Sequence, residues 1–65
     1  MEENWVKDMA LNDAVNRLPE RERMVIELRF FQGKTQMEVS AEVGISQAQV
    51  SRLEKNAINQ IRKDL

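Results

Sequence analysis

Thr35-x-x-Glu38 and Ser46-x-x-Gln49 are two capping boxes standing on either side of Gly44. In a capping box the hydroxyl accepts the backbone N–H three residues on, and the side chain there returns to the N–H of the cap, so donors that a helix start leaves open are satisfied. Two helix starts this close leave room for only a short helix and a turn, and Gly44 supplies the left-handed conformation that ends the first helix. The chain is therefore expected to fold a short helix, a tight turn and a second helix from Ser46. The same signals remove a competing reading. Gly33-Lys34-Thr35 are the letters that close a phosphate-cradling P-loop, but the glycine that opens that motif falls at Leu28, within a helical stretch.

Two helices that cross steeply over a short turn need particular side chains at particular places. Val39 and Val43 share one face of the first helix, Ile45 plugs the turn, and Val50 and Leu53 face back from the second. Where the helices approach most closely a large residue would clash, and the sequence has Ser40 followed by Ala41. Val39, Ser40, Val43, Gly44, Ile45, Val50 and Leu53 agree with the helix-turn-helix pattern of DNA-binding proteins.

Upstream, Leu11, Ala14, Val15 and Leu18 recur at helical spacing and predict a helix over about Trp5 to Arg17. Pro19 stops it and starts the next, since proline disfavours helix before itself and suits a first helical position. At 100° per residue the second helix places Met24, Leu28 and Phe31 on a core side with Val25 flanking, until Gly33 ends it. Ile26 and Phe30 fall nearly opposite, where either the first helix or a partner covers them. The fold class is all-α: four helices, read as one domain over residues 1–65, with a C-terminal helix-turn-helix over about 35–62.

A chain of 65 residues buries only about 60% of the surface its unfolded form exposes. It has no cysteine, so no disulfide or thiolate metal site adds stability, and packed helices or a partner must supply it. No metal or cofactor is expected. The lack of cysteine fits a reducing compartment, no apolar run approaches a membrane span, and Met1-Glu2-Glu3-Asn4 is acidic where a secretory leader is basic. A soluble cytoplasmic protein is the expectation. The net charge of −1 counts against a nucleic-acid binder at first sight, yet its distribution is uneven: residues through Gly33 sum to −2 and those from Lys34 onward to +1. Any grip on DNA from this bias alone would be weak.

Leu18-Pro19-Glu20-Arg21-Glu22-Arg23, Leu28-Arg29-Phe30, Thr35-Gln36-Met37-Glu38-Val39, Gly44-Ile45-Ser46 and Val50-Ser51-Arg52-Leu53-Glu54 together resemble region 4 of bacterial RNA polymerase sigma factors of the sigma-70 type. The resemblance covers about residues 18 to 62. Within that family "GISQAQVSRLEK" is most similar to sporulation sigma factors of endospore-forming Firmicutes, and "RFFQGKTQMEV" tilts it toward the late-forespore type. The resemblance implies a domain that holds the promoter −35 element while other sigma regions bind the −10 element and open the duplex. Those regions are not in this sequence, so the expectation is a domain of a longer sigma factor or a short standalone relative, unable to initiate transcription alone.

A recognition helix presents its early, solvent-facing residues to base edges. Gln47, Ala48, Gln49, Ser51, Arg52 and Lys55 qualify, with Val50, Leu53, Ala57 and Ile61 on the inner face. Glutamine can pair adenine N6 and N7, arginine can fork onto guanine O6 and N7, and an alanine methyl can rest on a thymine methyl. Arg52 and Gln49 are the leading base readers; Gln47, Ser51 and Lys55 suit bases or phosphates. Lys34, Thr35 and Gln36 open the preceding helix, where free N–H groups and the dipole favour a phosphate oxygen. Many primary sigma factors carry arginine-glutamate-arginine where this chain has Gln47-Ala48-Gln49, which implies a different −35 sequence. The family also implies protein partners: the tip of the polymerase β-subunit flap docks on an apolar surface of this domain, and anti-sigma factors cover the same region. Ile26, Phe30, Trp5 and Met9 are the candidate contacts, with a core role the alternative for Trp5.

No histidine, no cysteine and no isolated pair of carboxylates argue against an enzyme. Glu20-Arg21-Glu22-Arg23 and Arg62-Lys63-Asp64 read as solvated faces. Two alternatives stand beside promoter recognition. One is a docking module whose main affinity is for the polymerase flap or an anti-sigma factor. The other is the output domain of another DNA-binding regulator, a reading that Gln47 through Glu54 disfavours.

Overall fold

The computed structural model describes the backbone of residues 2–65 and the side chains of residues 9–65. Among the described residues four α-helices follow one another: α1 (Glu2–Asn16), α2 (Glu20–Ile26), α3 (Gln36–Val43) and α4 (Gln47–Asp64). A π-helical stretch, Glu27–Phe31, continues α2 without a break. Among the described residues there is no strand.

Each junction has a local cause. The Leu18 N–H turns back tightly to the Val15 carbonyl, which closes α1 before Pro19. Pro19 is the N-cap of α2 at φ −52°, one position earlier than a first-turn proline, and its carbonyl accepts the Arg23 N–H. Glu20 and Glu22 then lie in the first turn, where the helix dipole favours negative charge. Beyond Ile26 the winding loosens: the Gln32 N–H reaches the Glu27 carbonyl, and the Lys34 N–H reaches further back to Leu28. Gly33 at φ +73° allows that return.

Among the described residues the interior consists of two apolar clusters that share α4. Val15, Leu18, Ile26 and Ala57 form the first, with Leu11, Ile58 and Ile61 packed around them. Val25, Val39 and Val50 form the second, flanked by Leu28, Val43, Ile45 and Leu53. The long C-terminal helix thus supports both halves of the molecule, and its apolar stripe is broad enough to meet α1, α2 and α3.

Here α2 departs from the reading of its sequence. Val25 and Ile26 are both buried and face different clusters, so the helix is wedged between α1 and α3 and uses two adjacent sides rather than one. Met24, expected in the core, is displaced to the surface. Phe31, also expected in the core, is 52% exposed. Each residue past a π-helical turn lags the 100° step of an α-helix, and a wheel drawn with that step puts Phe31 on the wrong side. Leu28 keeps a partly buried place beside the second cluster. Ile26 is only 3% exposed, under Val15 and Leu18 and against Ala57, so α1 covers it and it presents no free surface to a partner. Phe30 stays half-exposed.

Candidate nucleic-acid interface

Both capping boxes are complete. Thr35 Oγ1 accepts the Glu38 N–H at 3.1 Å while the Thr35 N–H donates to Glu38 Oε1 at 2.8 Å. Ser46 Oγ accepts the Gln49 N–H at 3.1 Å while the Ser46 N–H donates to Gln49 Oε1 at 3.3 Å. The Thr35 N–H, with the Thr35 hydroxyl and the nearby Lys34 ammonium contributing less, holds the Glu38 carboxyl below its ordinary value of 4.5.

Between the boxes, Gly44 sits at φ +81° and its N–H caps the Ser40 carbonyl. The Ser40 hydroxyl donates to the Ile45 carbonyl, so the small residue at the close approach also ties the turn to the helix before it. Ala41, read from the sequence as part of that approach, faces solvent. The helix pair is fixed to the rest of the molecule by a bond the sequence did not reveal: Arg29 Nε donates to Glu54 Oε1 at 2.6 Å, and Arg29 Nη1 donates to the Lys34 carbonyl at 2.9 Å. The Arg29 guanidinium also lies 5.3 Å from the centre of the Phe30 ring. Nothing in residue spacing links positions so far apart, although an arginine and a glutamate in otherwise apolar contact zones are a weak hint.

This framework sorts the α4 residues cleanly. Val50 and Ala57 are fully buried, and Leu53 and Ile61 pack beside them. Gln47, Ala48, Gln49, Ser51, Arg52 and Lys55 are all exposed on the opposite side. Among the described residues, Gln47, Ser51, Arg52 and Lys55 make no side-chain hydrogen bond or ion pair, whereas Gln49 is engaged with Ser46. At the start of α3, Thr35 is exposed and Lys34 and Gln36 are half-buried. Lys34 has an intramolecular competitor for its charge, since Glu42 Oε1 lies 3.7 Å from its ammonium.

Leu11, Val15, Ile26, Phe30, Phe31, Ile58, Ile61 and Arg62 line an open apolar groove of about 330 Å³. Ile26 is its floor rather than its rim. Met9 is half-exposed on α1, and Trp5 lies outside the described side chains. Among the described residues no helix is long and apolar enough to cross a membrane.

A buried valine layer, a glycine-closed turn and a second helix presenting its polar face define a helix-turn-helix domain. The family described as "Sigma-70, region 4" matches residues 14–63, and the chain belongs to it. It is 59% identical over 61 residues, 94% of the chain, to the RNA polymerase sigma-G factor of Bacillus subtilis (strain 168), and 48% identical over 63 residues, 97% of the chain, to that of Clostridium acetobutylicum. It is also 48% identical over 61 residues, again 94% of the chain, to the RNA polymerase sigma-F factor of B. subtilis. The chain spans about a quarter of these relatives, 24% of each.

Proposed function

We propose that this chain recognises the −35 element of promoters as the region 4 domain of a sporulation-type RNA polymerase sigma factor, acting in the cytoplasm as a binding module rather than a catalyst. The observation that carries the reading is the exposed face of α4: Gln47, Ala48, Ser51, Arg52 and Lys55 point outward from a helix whose other face is anchored at Val50 and Ala57. In a major groove such a helix sets its early residues against base edges. Arg52 reads a guanine, Gln49 and Ala48 contact neighbouring bases, and Gln47, Ser51 and Lys55 serve bases or phosphates. The start of α3 supports a second anchor, in which Lys34, Thr35 and Gln36 meet a phosphate oxygen.

Protein docking is a second activity of the same domain, favoured by the half-exposed Phe30 and Phe31 beside the apolar groove. The polymerase β-flap, or an anti-sigma factor, takes this face, with Met9 and Phe30 as contacts. Trp5 is proposed with them on sequence grounds alone.

The test is titration of a labelled sporulation-type −35 duplex and a scrambled duplex at two salt concentrations. Salt-sensitive binding that prefers the −35 duplex is the expected result. Equal binding to both, beside tight binding of a β-flap peptide, would reject promoter recognition by the isolated domain and leave docking as its activity.

A further inference from the structure

The side chain of Gln49 is held by the helix start that it caps, and this limits what it can say to a base. The Ser46 N–H can only donate, so the atom 3.3 Å from it must be the carbonyl oxygen of the Gln49 carboxamide. The Gln49 N–H in turn bonds the Ser46 hydroxyl, closing the ring of contacts that starts α4. With the oxygen committed to Ser46, the amide NH₂ is the group left free, on an exposed residue of the outward face. A free glutamine pairs adenine with both ends, accepting from N6 while donating to N7. Gln49 keeps only the donating half.

We propose that Gln49 is a specificity-determining residue that reads its base as a hydrogen-bond donor alone, rejecting cytosine and lacking the preference for adenine that a free glutamine has. The inference rests on the promoter-recognition reading above. Guanine presents O6 and N7 as acceptors, thymine O4 and adenine N7, and each accepts a lone amide donor. Cytosine presents only N4 hydrogens, which a donor repels, and at adenine the oxygen that would satisfy N6 faces Ser46, so adenine loses the second bond that would favour it. The cap thus fixes the orientation of the reader, so the helix start and the base preference share one side chain.

Gln49→Glu separates the two roles. Glutamate completes the same capping box and adds a charge that suits a helix start, so α4 keeps its cap, but the donor is gone and only acceptors remain. Binding-site selection from a randomised duplex library, with the 65-residue chain, Gln49→Glu and Gln49→Ala in parallel, identifies the base that Gln49 faces as the position where the three differ. The expected result for the unsubstituted chain is a preference against cytosine by about tenfold, near the lower end of what a base contact contributes, with adenine not favoured over guanine or thymine. Gln49→Ala loses that preference and Gln49→Glu shifts it to cytosine or adenine, whose amino groups need an acceptor. Adenine preferred by the unsubstituted chain would show that the cap opens on DNA and would overturn the proposal, as would identical selections by all three chains. Selection of no sequence by the unsubstituted chain would instead overturn promoter recognition by the isolated domain, and this inference with it.

Discussion

Arg29 and Glu54 join the π-helical end of the second helix to the middle of the fourth through a 2.6 Å charge-assisted hydrogen bond, with side chains 27% and 16% exposed. Because Arg29 also holds the Lys34 carbonyl, one guanidinium connects three segments: the π-helical stretch, the loop before α3, and α4. Removing either partner leaves the other charged and half-buried, so Arg29→Ala and Glu54→Ala should each cost about 1.5–3 kcal/mol in urea unfolding. The double substitution should cost clearly less than their sum, since the penalty of a stranded charge is then absent. Strict additivity would mean that the two side chains do not sense each other in solution.

The valine layer gives a second expectation. Val39 is fully buried between Val25 and Val50, and two lost methyl groups plus the void they leave put Val39→Ala at about 2 kcal/mol destabilising. Phe31→Ala, despite removing a far larger side chain, should cost well under that because Phe31 is half outside. Thermal unfolding of both variants decides the matter. A larger loss from Phe31→Ala would return Phe31 to the core.

The contrast between those two residues also marks where the sequence could be read and where it could not. Thr35, Glu38, Gly44, Ser46 and Gln49 act on neighbours a few residues away, so their pattern determines the turn and both helix starts, and all five do what their spacing implies. Val39, Val50 and Leu53 follow from ordinary helical periodicity. The second helix departs from its apolar spacing for two coincident reasons: burial on two sides, with Val25 and Ile26 facing different clusters, and a π-helical turn that delays Phe31. Neither leaves a trace in apolar spacing. The Arg29–Glu54 bond is a property of how distant segments meet, and the Gln49 amide orientation follows only once the cap geometry is known. The outward residues of α4 were legible because the inner ones were.

Acid should weaken the start of α3 through Glu38. Its carboxylate accepts the Thr35 N–H, which lowers its folded value below 4.5, so the ionised form is favoured by folding. That contribution is fully present above the ordinary value and is lost as pH falls through the lowered folded one. Glu38→Gln keeps an acceptor for the cap but cannot titrate. The stability advantage of the native chain over Glu38→Gln should be greatest near neutral pH, shrink as pH drops below 4.5, and disappear once the folded carboxyl is protonated. Urea unfolding across that range measures it, and a gap that stays constant would remove Glu38 from the pH dependence.

Arg52 offers the most direct test of the proposal that α4 meets DNA. It is exposed, and among the described residues none offers it an ion pair, so its guanidinium is available for a bidentate contact with guanine O6 and N7. If it reads that base, Arg52→Ala relaxes preference at one base pair by about 1–3 kcal/mol and leaves preferences elsewhere intact. Lys55, one position short of a full turn further along the same face, serves as the control for a phosphate contact. Lys55→Ala should weaken all duplexes about equally and lower the salt slope of binding by about 1. Competition titrations against duplexes substituted one base pair at a time separate these outcomes. A uniform loss from Arg52→Ala would reassign Arg52 to the phosphate backbone and leave sequence reading to the residues at the start of α4.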